Sequence, residues 1–144
     1  MKKKGLLIVF FILLVSCSFN DNEKKPSEDY YGIWILTRMN RNNNPAANSI
    51  DVLEWEESYI FKSDKTFSKT RKRDGKITTA SGNYSVIKMV DQTQFELTYA
   101  AQSEIIGSCI SNLKENLYII NNVGNLLSTW NVCSGPMLVY EKKK

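Results

Sequence analysis

Apolar and polar residues alternate along most of the chain, which is the period of a β-strand with one buried face. In residues 94–99, for example, Phe95, Leu97 and Tyr99 share one face and polar residues occupy the other. No stretch keeps its apolar residues at the spacing of a helix, although residues 50–57 are a candidate for one helical turn. The pattern therefore predicts an all-β protein built from short strands.

The strand segments lie close together, at a spacing of 8–12 residues, and number about eight to ten. They are residues 31–37, 58–61, 66–68, 77–79, 82–87, 94–99, 105–113, 117–120, 126–132 and 137–140. Asp74-Gly75 is the strongest hairpin signal, because glycine accepts the positive φ of a primed turn. Asp64 suits a second tight turn, and an asparagine-rich loop spans residues 40–48. The succession predicts an antiparallel up-and-down meander, which removes its exposed edges by closing into a barrel of about eight strands.

The beginning of the chain has a different pattern. Lys2, Lys3 and Lys4 form a basic cluster, and the eleven residues 5–15 that follow contain no polar side chain. Eleven residues are too few to span a bilayer, which takes about 20, but they suit the apolar core of a signal peptide. We therefore expect the chain to be exported.

Residues 14–17, Leu-Val-Ser-Cys, resemble the lipobox of bacterial lipoproteins. The resemblance implies a signal peptide over residues 1–16 and a membrane-anchoring lipid on Cys17; the alternative is an ordinary secretory signal with a chance cysteine. Ser18 stands where an aspartate favours inner-membrane retention in proteobacteria, which implies the outer membrane, at its periplasmic face or the cell surface. The polar residues 17–29 then form a flexible tether, and residues 30–144 form one domain.

Composition narrows the range of functions. Removal of the signal leaves sixteen Lys and Arg against fifteen Asp and Glu, so the mature charge is +1 and indicates no nucleic-acid partner. The chain has no histidine, which excludes Ser-His-Asp and Cys-His catalysis and removes the commonest metal ligand. Glu54, Glu56 and Glu57 match no calcium-loop spacing, and we interpret them as part of a solvated loop. We expect no enzymatic activity, no metal and no cofactor.

Two cysteines remain once Cys17 carries lipid. Cys109 and Cys133 would meet an oxidising compartment, where a pair of cysteines is most simply a disulfide. Closing this separation would stabilise the fold by about 3 kcal/mol in the loop-entropy model. The alternative is two buried free thiols.

Four short motifs occur in order over residues 30–142. They are Gly32-x-Trp34, the run Tyr-Ile-Phe-Lys-Ser-Asp-Lys-Thr-Phe at 59–67, Gly-Asn-Tyr at 82–84, and Cys-Ser-Gly-Pro-Met-Leu-Val-Tyr-Glu-Lys at 133–142. Together they resemble lipocalins, and in particular the lipocalin-like lipoproteins of Bacteroidetes, which usually carry glycine in place of Lys65. The resemblance implies a small barrel in which Gly32 and Trp34 are structural. It also implies that Trp34 packs at a closed end beneath a basic residue of the last strand, for which Lys142 is the candidate.

Two features are candidates for binding. Aromatic side chains facing inward would line an apolar ligand cavity, or they would simply fill the core of an eight-stranded barrel. The candidate lining residues are Tyr59, Phe61, Tyr84, Phe95 and Tyr99. The segment 62–76 carries seven Lys and Arg against two Asp, and would either contact anionic headgroups or an acidic partner, or be a solvated hairpin.

The leading hypothesis is a membrane-anchored lipocalin-like module that binds a small apolar ligand in the cell envelope. The alternative is a solid-core barrel that docks another envelope component through its loops or the basic hairpin of residues 62–76. A pocket open to solvent at one end of the barrel would favour the ligand-binding module. A filled interior with an exposed apolar patch would favour the docking protein.

Overall fold

Residues 30–40, 53–110 and 113–144 are described by a computed structural model, and within them eight antiparallel strands follow one another around a closed barrel. The strands are β1 (Gly32–Asn40), β2 (Glu56–Phe61), β3 (Thr66–Arg73), β4 (Lys76–Lys88), β5 (Gln92–Tyr99), β6 (Lys114–Ile120), β7 (Leu126–Ser128) and β8 (Met137–Lys142). A short 3-10 turn, Trp130–Cys133, lies between β7 and β8. Pairing of β8 with β1 closes the barrel and satisfies both edges. The predicted all-β, up-and-down architecture is confirmed.

The two predicted tight turns join β2 to β3 and β3 to β4. Asp74 and Gly75 have φ values of 50 and 79, the left-handed pair that a primed hairpin turn requires. Asp64 accepts a hydrogen bond from the backbone N–H of Thr66 at 2.9 Å. These turns set the register of the three strands, so that alternate side chains of each strand face the barrel interior.

The predicted break between residues 79 and 82 does not exist, because β4 runs without interruption from Lys76 to Lys88. Gly82 lies inside this strand. A Cβ atom there would stand 2.0 Å from the carbonyl oxygen of Thr98 on β5. The glycine therefore permits a close approach between two strands, in the middle of a strand where the sequence predicted a break before it.

Three other predicted segments differ from the structure. Residues 105–110, expected to be a strand, form a loop whose Ile105 is buried in the barrel. The strand predicted over 126–132 ends at Ser128, and the 3-10 turn follows. The candidate helical turn is absent from residues 53–57, since β2 begins at Glu56.

Several sequence-based expectations fall outside the described residues. They are the signal peptide, Cys17, the tether, and the asparagine-rich loop beyond Asn40. Among the residues that are described, no helix is long and apolar enough to cross a membrane.

The barrel has two ends, which differ in what they carry. One end is formed by residues 30–31, 62–65, 89–91, 121–125 and 143–144. We call it the N-terminal end, because the strand β1 begins there. The far end is formed by residues 53–55, 74–75, 100–110, 113 and 129–136.

Candidate functional site

The five aromatic residues predicted to line a cavity all lie inside the barrel. Tyr59, Phe61, Tyr84, Phe95 and Tyr99 are at most 5% exposed. Their rings contact one another: the centroid of Phe61 lies 5.7 Å from that of Tyr59, 5.0 Å from that of Tyr84 and 5.3 Å from that of Phe95. Centroid distances of this size are ordinary aromatic packing contacts. The rings therefore fill the space between the strands.

Tyr30 and Lys65 close the N-terminal end. Tyr30 is 6% exposed, and its ring meets that of Phe95 edge to face at 5.3 Å. The Lys65 ammonium donates hydrogen bonds to the hydroxyls of Tyr30 and Tyr31, at 3.0 and 3.3 Å, and lies 5.6 Å from the Tyr84 ring centroid. Lys65 has a φ of 66, the left-handed conformation that glycine adopts most readily. Its contacts with three tyrosines offset the strain.

Gly32 and Trp34 also lie at the N-terminal end. Trp34 is 3% exposed, and its indole N–H donates to the carbonyl oxygen of Tyr30 at 2.9 Å. Lys142 is its cross-strand partner in β8. Gly32 has a φ of 118, which disfavours any residue with a Cβ. The structure thus places all three residues of the lipocalin-like motif together.

Four charged side chains lie inside the barrel toward the far end, a site that the sequence analysis missed. They are Glu57 on β2, Lys69 and Arg71 on β3, and Glu115 on β6. The Lys69 ammonium is fully buried and lies 3.0 Å from a carboxylate oxygen of Glu115 and 3.2 Å from one of Glu57. Arg71 donates from Nε to the other carboxylate oxygen of Glu57. The four charges sum to zero, which is what burial of ions requires.

Hydroxyl and amide donors complete this charge cluster. Tyr140 donates to Glu57 at 2.6 Å, and Tyr99 donates to Glu115. The backbone N–H of Gly107 donates to Glu115 at 3.2 Å, from the loop between β5 and β6. Each carboxylate therefore receives several hydrogen bonds, and the cluster ties together elements that are distant in sequence.

Two tryptophans cover the cluster at the far end. The Arg71 guanidinium lies 4.4 Å from the Trp55 ring and 5.8 Å from the Trp130 ring. The Trp55 indole N–H donates to Glu57 at 3.0 Å, and Arg71 donates to the carbonyl oxygen of Ile105 at 3.4 Å. Beneath this roof Glu57 is 3% and Arg71 8% exposed, and charge interactions are stronger at such low exposure than in water.

The pKa values in the cluster follow from burial and charge. Burial alone would raise the pKa of Glu57, but the charges of Lys69 and Arg71 and the hydrogen bond from Tyr140 outweigh it, so the pKa lies below its ordinary value. Burial, followed by the nearby carboxylates, raises the pKa of Tyr99 and of Tyr140. Near neutral pH, Glu57 is therefore ionised and both tyrosines are neutral.

Tyr59 stands apart from the other hydroxyl groups. Its hydroxyl is buried and makes no hydrogen bond of normal geometry, although it lies near enough to Tyr99 and Tyr140 to influence their pKa values. Its ring lies 4.9 Å from the Lys69 ammonium, which provides a cation–π contact. Tyr59 therefore contributes its ring, and not its hydroxyl, to the cluster.

Strand alternation is the signal that could have located the cluster. Lys69 and Arg71 lie two and four residues after the inward-facing Phe67, and Glu57 lies two residues before the inward-facing Tyr59. The interpretation of Glu57 as part of a solvated loop is wrong, since this residue is 3% exposed in a strand.

The basic segment 62–76 is therefore less cationic at the surface than its sequence suggests. Lys69 and Arg71 face inward, and the outward-facing cations of residues 72–76 form ion pairs with carboxylates. These pairs are Lys72–Glu56 at 3.2 Å, Arg73–Glu54 at 3.7 Å and Lys76–Glu104 at 2.6 Å.

Cys109 and Cys133 form the predicted disulfide. Their Cα atoms are 5.4 Å apart, and the bond joins the β5–β6 loop to the 3-10 turn. Both segments contribute to the roof of the charge cluster, so the disulfide holds the far end closed.

The outer wall of β1 to β4 carries a cleft of about 520 Å³, lined in large part by apolar surface. Ile33, Ile35 and Ile77 line it and are 38%, 40% and 66% exposed. Leu53 lies at its edge, at the beginning of a described segment. We call these four residues the outer apolar patch.

In chemical terms, the charge cluster is a buried set of mutually compensated groups; Arg71 also lines a cleft of about 300 Å³ at the far end, and Glu57 lines one of about 520 Å³ on the outer wall. Within residues 30–40, 53–110 and 113–144, no group of three His, Cys, Asp or Glu side chains is placed to hold a metal ion. The chain matches no protein-family model, no curated protein and no solved structure.

Proposed function

We propose that this chain is a lipid-anchored protein of the bacterial cell envelope whose barrel docks another envelope component through its outer surface. The lipid is carried by Cys17, after cleavage of residues 1–16. The fit of residues 14–17 to the lipobox, directly after a basic cluster and an apolar core, supports the anchor.

The filled interior is the observation that carries the proposal. Small-molecule sites are concave spaces of several hundred Å³ that enclose their ligand. Here the corresponding space holds packed aromatic rings toward the N-terminal end and the charge cluster toward the far end, with Tyr30 and Trp55 closing the two ends. An interior ligand would have to displace the packed core. The cleft of about 550 Å³ at the N-terminal end, lined by Tyr30, Trp34 and Lys142, opens to solvent and is part of the barrel surface. The surface is therefore the better candidate for binding.

The outer apolar patch is the docking surface in this proposal. A contiguous exposed apolar patch on a soluble domain commonly marks a site of contact with a protein or a membrane. Lys72 and Glu56 lie at the rim of the cleft, and an apolar centre with a charged rim is the usual composition of a protein interface.

Acyl labelling tests the anchor. In cells given a labelled fatty acid, the wild-type chain should carry label, and Cys17→Ser should carry none and leave the membrane fraction. Cys109→Ser is the matched control, because it removes a cysteine without touching the lipobox, and it should remain labelled. Equal labelling of the Cys17→Ser variant would refute lipid attachment at this residue.

Site-specific photo-crosslinking tests the docking surface. A photoreactive residue at Ile35 or Ile77 should give one discrete adduct in intact cells. The same residue at Val90, which is 93% exposed at the N-terminal end, is the control and should not give that adduct. Identical adduct patterns from all three positions, or none from the patch, would contradict docking through it.

A further inference from the structure

Two exposed valines project from neighbouring turns at the N-terminal end of the barrel. Val90 in the β4–β5 turn is 93% exposed, and Val123 in the β6–β7 turn is 60% exposed. Asn121 ties the turns together, because its side-chain amide donates to the carbonyl oxygen of Val90 and its backbone N–H donates to that of Asp91, each at 3.1 Å. The two apolar tips are therefore held side by side.

More apolar surface surrounds these tips. Ile87, Met89 and Ile120 are 49%, 45% and 38% exposed, and all lie at the same end of β4 and β6. Burial would remove this surface from water, and nothing in the described part of the chain covers it.

Lysines surround the apolar tips. Among the described residues, six lysines lie at the N-terminal end, against the two side-chain carboxylates of Asp64 and Asp91. They are Lys62, Lys65, Lys88, Lys142, Lys143 and Lys144. Within the described residues, Lys62, Lys88, Lys143 and Lys144 form no ion pair, in contrast to the paired cations of the far end. The N-terminal end is thus cationic and apolar at once.

We propose that the N-terminal end of the barrel is a membrane-docking face. Its valine tips enter the headgroup region of a bilayer, and its lysines contact anionic headgroups. Lysine suits this place because its apolar stem can lie along the interface while the ammonium reaches the phosphates.

The predicted tether of residues 17–29 supports a membrane as the partner of this face. This step rests on the proposed lipid on Cys17. The twelve residues 18–29 separate Cys17 from Tyr30, so the Cα atoms of the two can be at most about 45 Å apart. Tyr30 lies at the N-terminal end and lines a cleft of about 550 Å³ there with Lys142, Lys143 and Lys144. The end to which the tether joins is therefore the end held nearest the bilayer.

Vesicle binding without the lipid tests the proposal. The mature chain from residue 17 onward, with Cys17→Ser, contains every strand of the barrel. It should sediment with vesicles of phosphatidylglycerol and phosphatidylcholine in a one-to-three ratio, and much less with pure phosphatidylcholine. Each lysine near an anionic surface strengthens binding about fivefold, so Lys143→Gln with Lys144→Gln should weaken it about 25-fold. Val90→Ser with Val123→Ser should weaken it by at least about tenfold.

Matched variants at the opposite end supply the controls. Lys72→Gln with Lys76→Gln removes the same charge from the far end, and Val132→Ser changes a valine that is 80% exposed there. Both should bind vesicles as the parent chain does. An unchanged thermal midpoint in every variant excludes unfolding as the cause of a loss.

The outcomes separate this proposal from the lipid anchor. Absence of binding to the anionic vesicles, or equal losses from variants at the two ends, would overturn the docking face even if acyl labelling at Cys17 succeeds. Specific vesicle binding with no acyl labelling would support the face and refute the anchor.

Discussion

Lys69 illustrates at the scale of one residue how the barrel stabilises a charge that it removes from water. The ammonium has no exposure, two carboxylates within hydrogen-bonding distance and the Tyr59 ring beside it. Lysine is almost never fully buried unless it is paired in this way. The arrangement ties β3 to β2 and β6, and removing one member leaves the others without compensation.

Substitution of Lys69 by Met should therefore lower the free energy of unfolding by about 3–5 kcal/mol, because Glu115 loses its cation in a buried site. Urea denaturation measures this change. Lys72→Met on the same strand is the control: its ion pair with Glu56 is exposed, and such pairs contribute at most about 1 kcal/mol. Similar losses from the two variants would show that the interior charges are not buried as described.

The tyrosine hydroxyls should differ in their contribution to stability. Tyr140→Phe removes a hydrogen bond to the Glu57 carboxylate and should lower the free energy of unfolding by about 1.5–3 kcal/mol. Tyr59→Phe removes a buried hydroxyl without a hydrogen bond of normal geometry, so it should be neutral or stabilising. Urea denaturation of both variants checks this order, and a larger loss from Tyr59→Phe would contradict the geometry.

Stability should fall in acid because of Glu57. Its pKa in the folded protein lies below the ordinary value of 4.5, so between these two values the unfolded chain binds more protons than the folded one. The free energy of unfolding is therefore fully retained above about pH 4.5 and decreases as the pH falls toward the folded pKa. Urea midpoints measured from pH 6 down to about pH 3 should show a shallower decline in Glu57→Gln. An equal decline would assign the acid sensitivity to other carboxyls.

The burial of individual side chains was harder to predict from the sequence than the strands were. Trp34, Phe95 and Tyr99 were expected inside because they are large and apolar, and they lie there. The members of the charge cluster were not expected inside, because charge ordinarily indicates exposure. The alternation within each strand is what marks them as inward-facing: Lys69 and Arg71 with Phe67, Glu57 with Tyr59, and Glu115 with Leu117. This alternation can be used only once the strand bounds are known.

At the scale of elements, the turns that could be predicted are those that depend on residues adjacent in sequence. The Asp74-Gly75 hairpin and the Asp64 turn depend on neighbouring residues alone, so the sequence indicates them directly. The two segments predicted at 77–79 and 82–87 are one strand, and the glycine at their junction, Gly82, is explained by a contact with Thr98 on another strand. The loop at 105–110 is apolar enough to suggest a strand, yet its Ile105 serves to cover the barrel end.

The disulfide belongs to this scale, since it joins two elements at the far end. Replacing Cys109 and Cys133 together by serine should lower the free energy of unfolding by about 3 kcal/mol, the expected effect of opening a loop of this length. Chemical denaturation measures the change, and reduction of the wild-type chain should reproduce it. An unaltered denaturation midpoint in both experiments would mean that the disulfide does not stabilise the fold.

At the scale of the whole molecule, closure and a filled interior are linked. An eight-stranded barrel is just wide enough for side chains to fill it. This chain places large rings and the charge cluster on its inward positions, which leaves the outer apolar patch and the N-terminal end as the surfaces available for binding. The sequence predicted the strands and their order, but the pairing of β8 with β1 and the contents of the interior depend on contacts across the entire chain.

Native mass spectrometry tests the central claim, that the interior holds no ligand and the barrel works through its surface. The chain from residue 18 onward, exported to the periplasm and purified without denaturation, should have the same mass before and after denaturation. Extra mass that is present in the native protein and disappears on denaturation would reveal a retained molecule. That result would contradict the solid core and favour a ligand-binding module, and extraction of the molecule would identify its class.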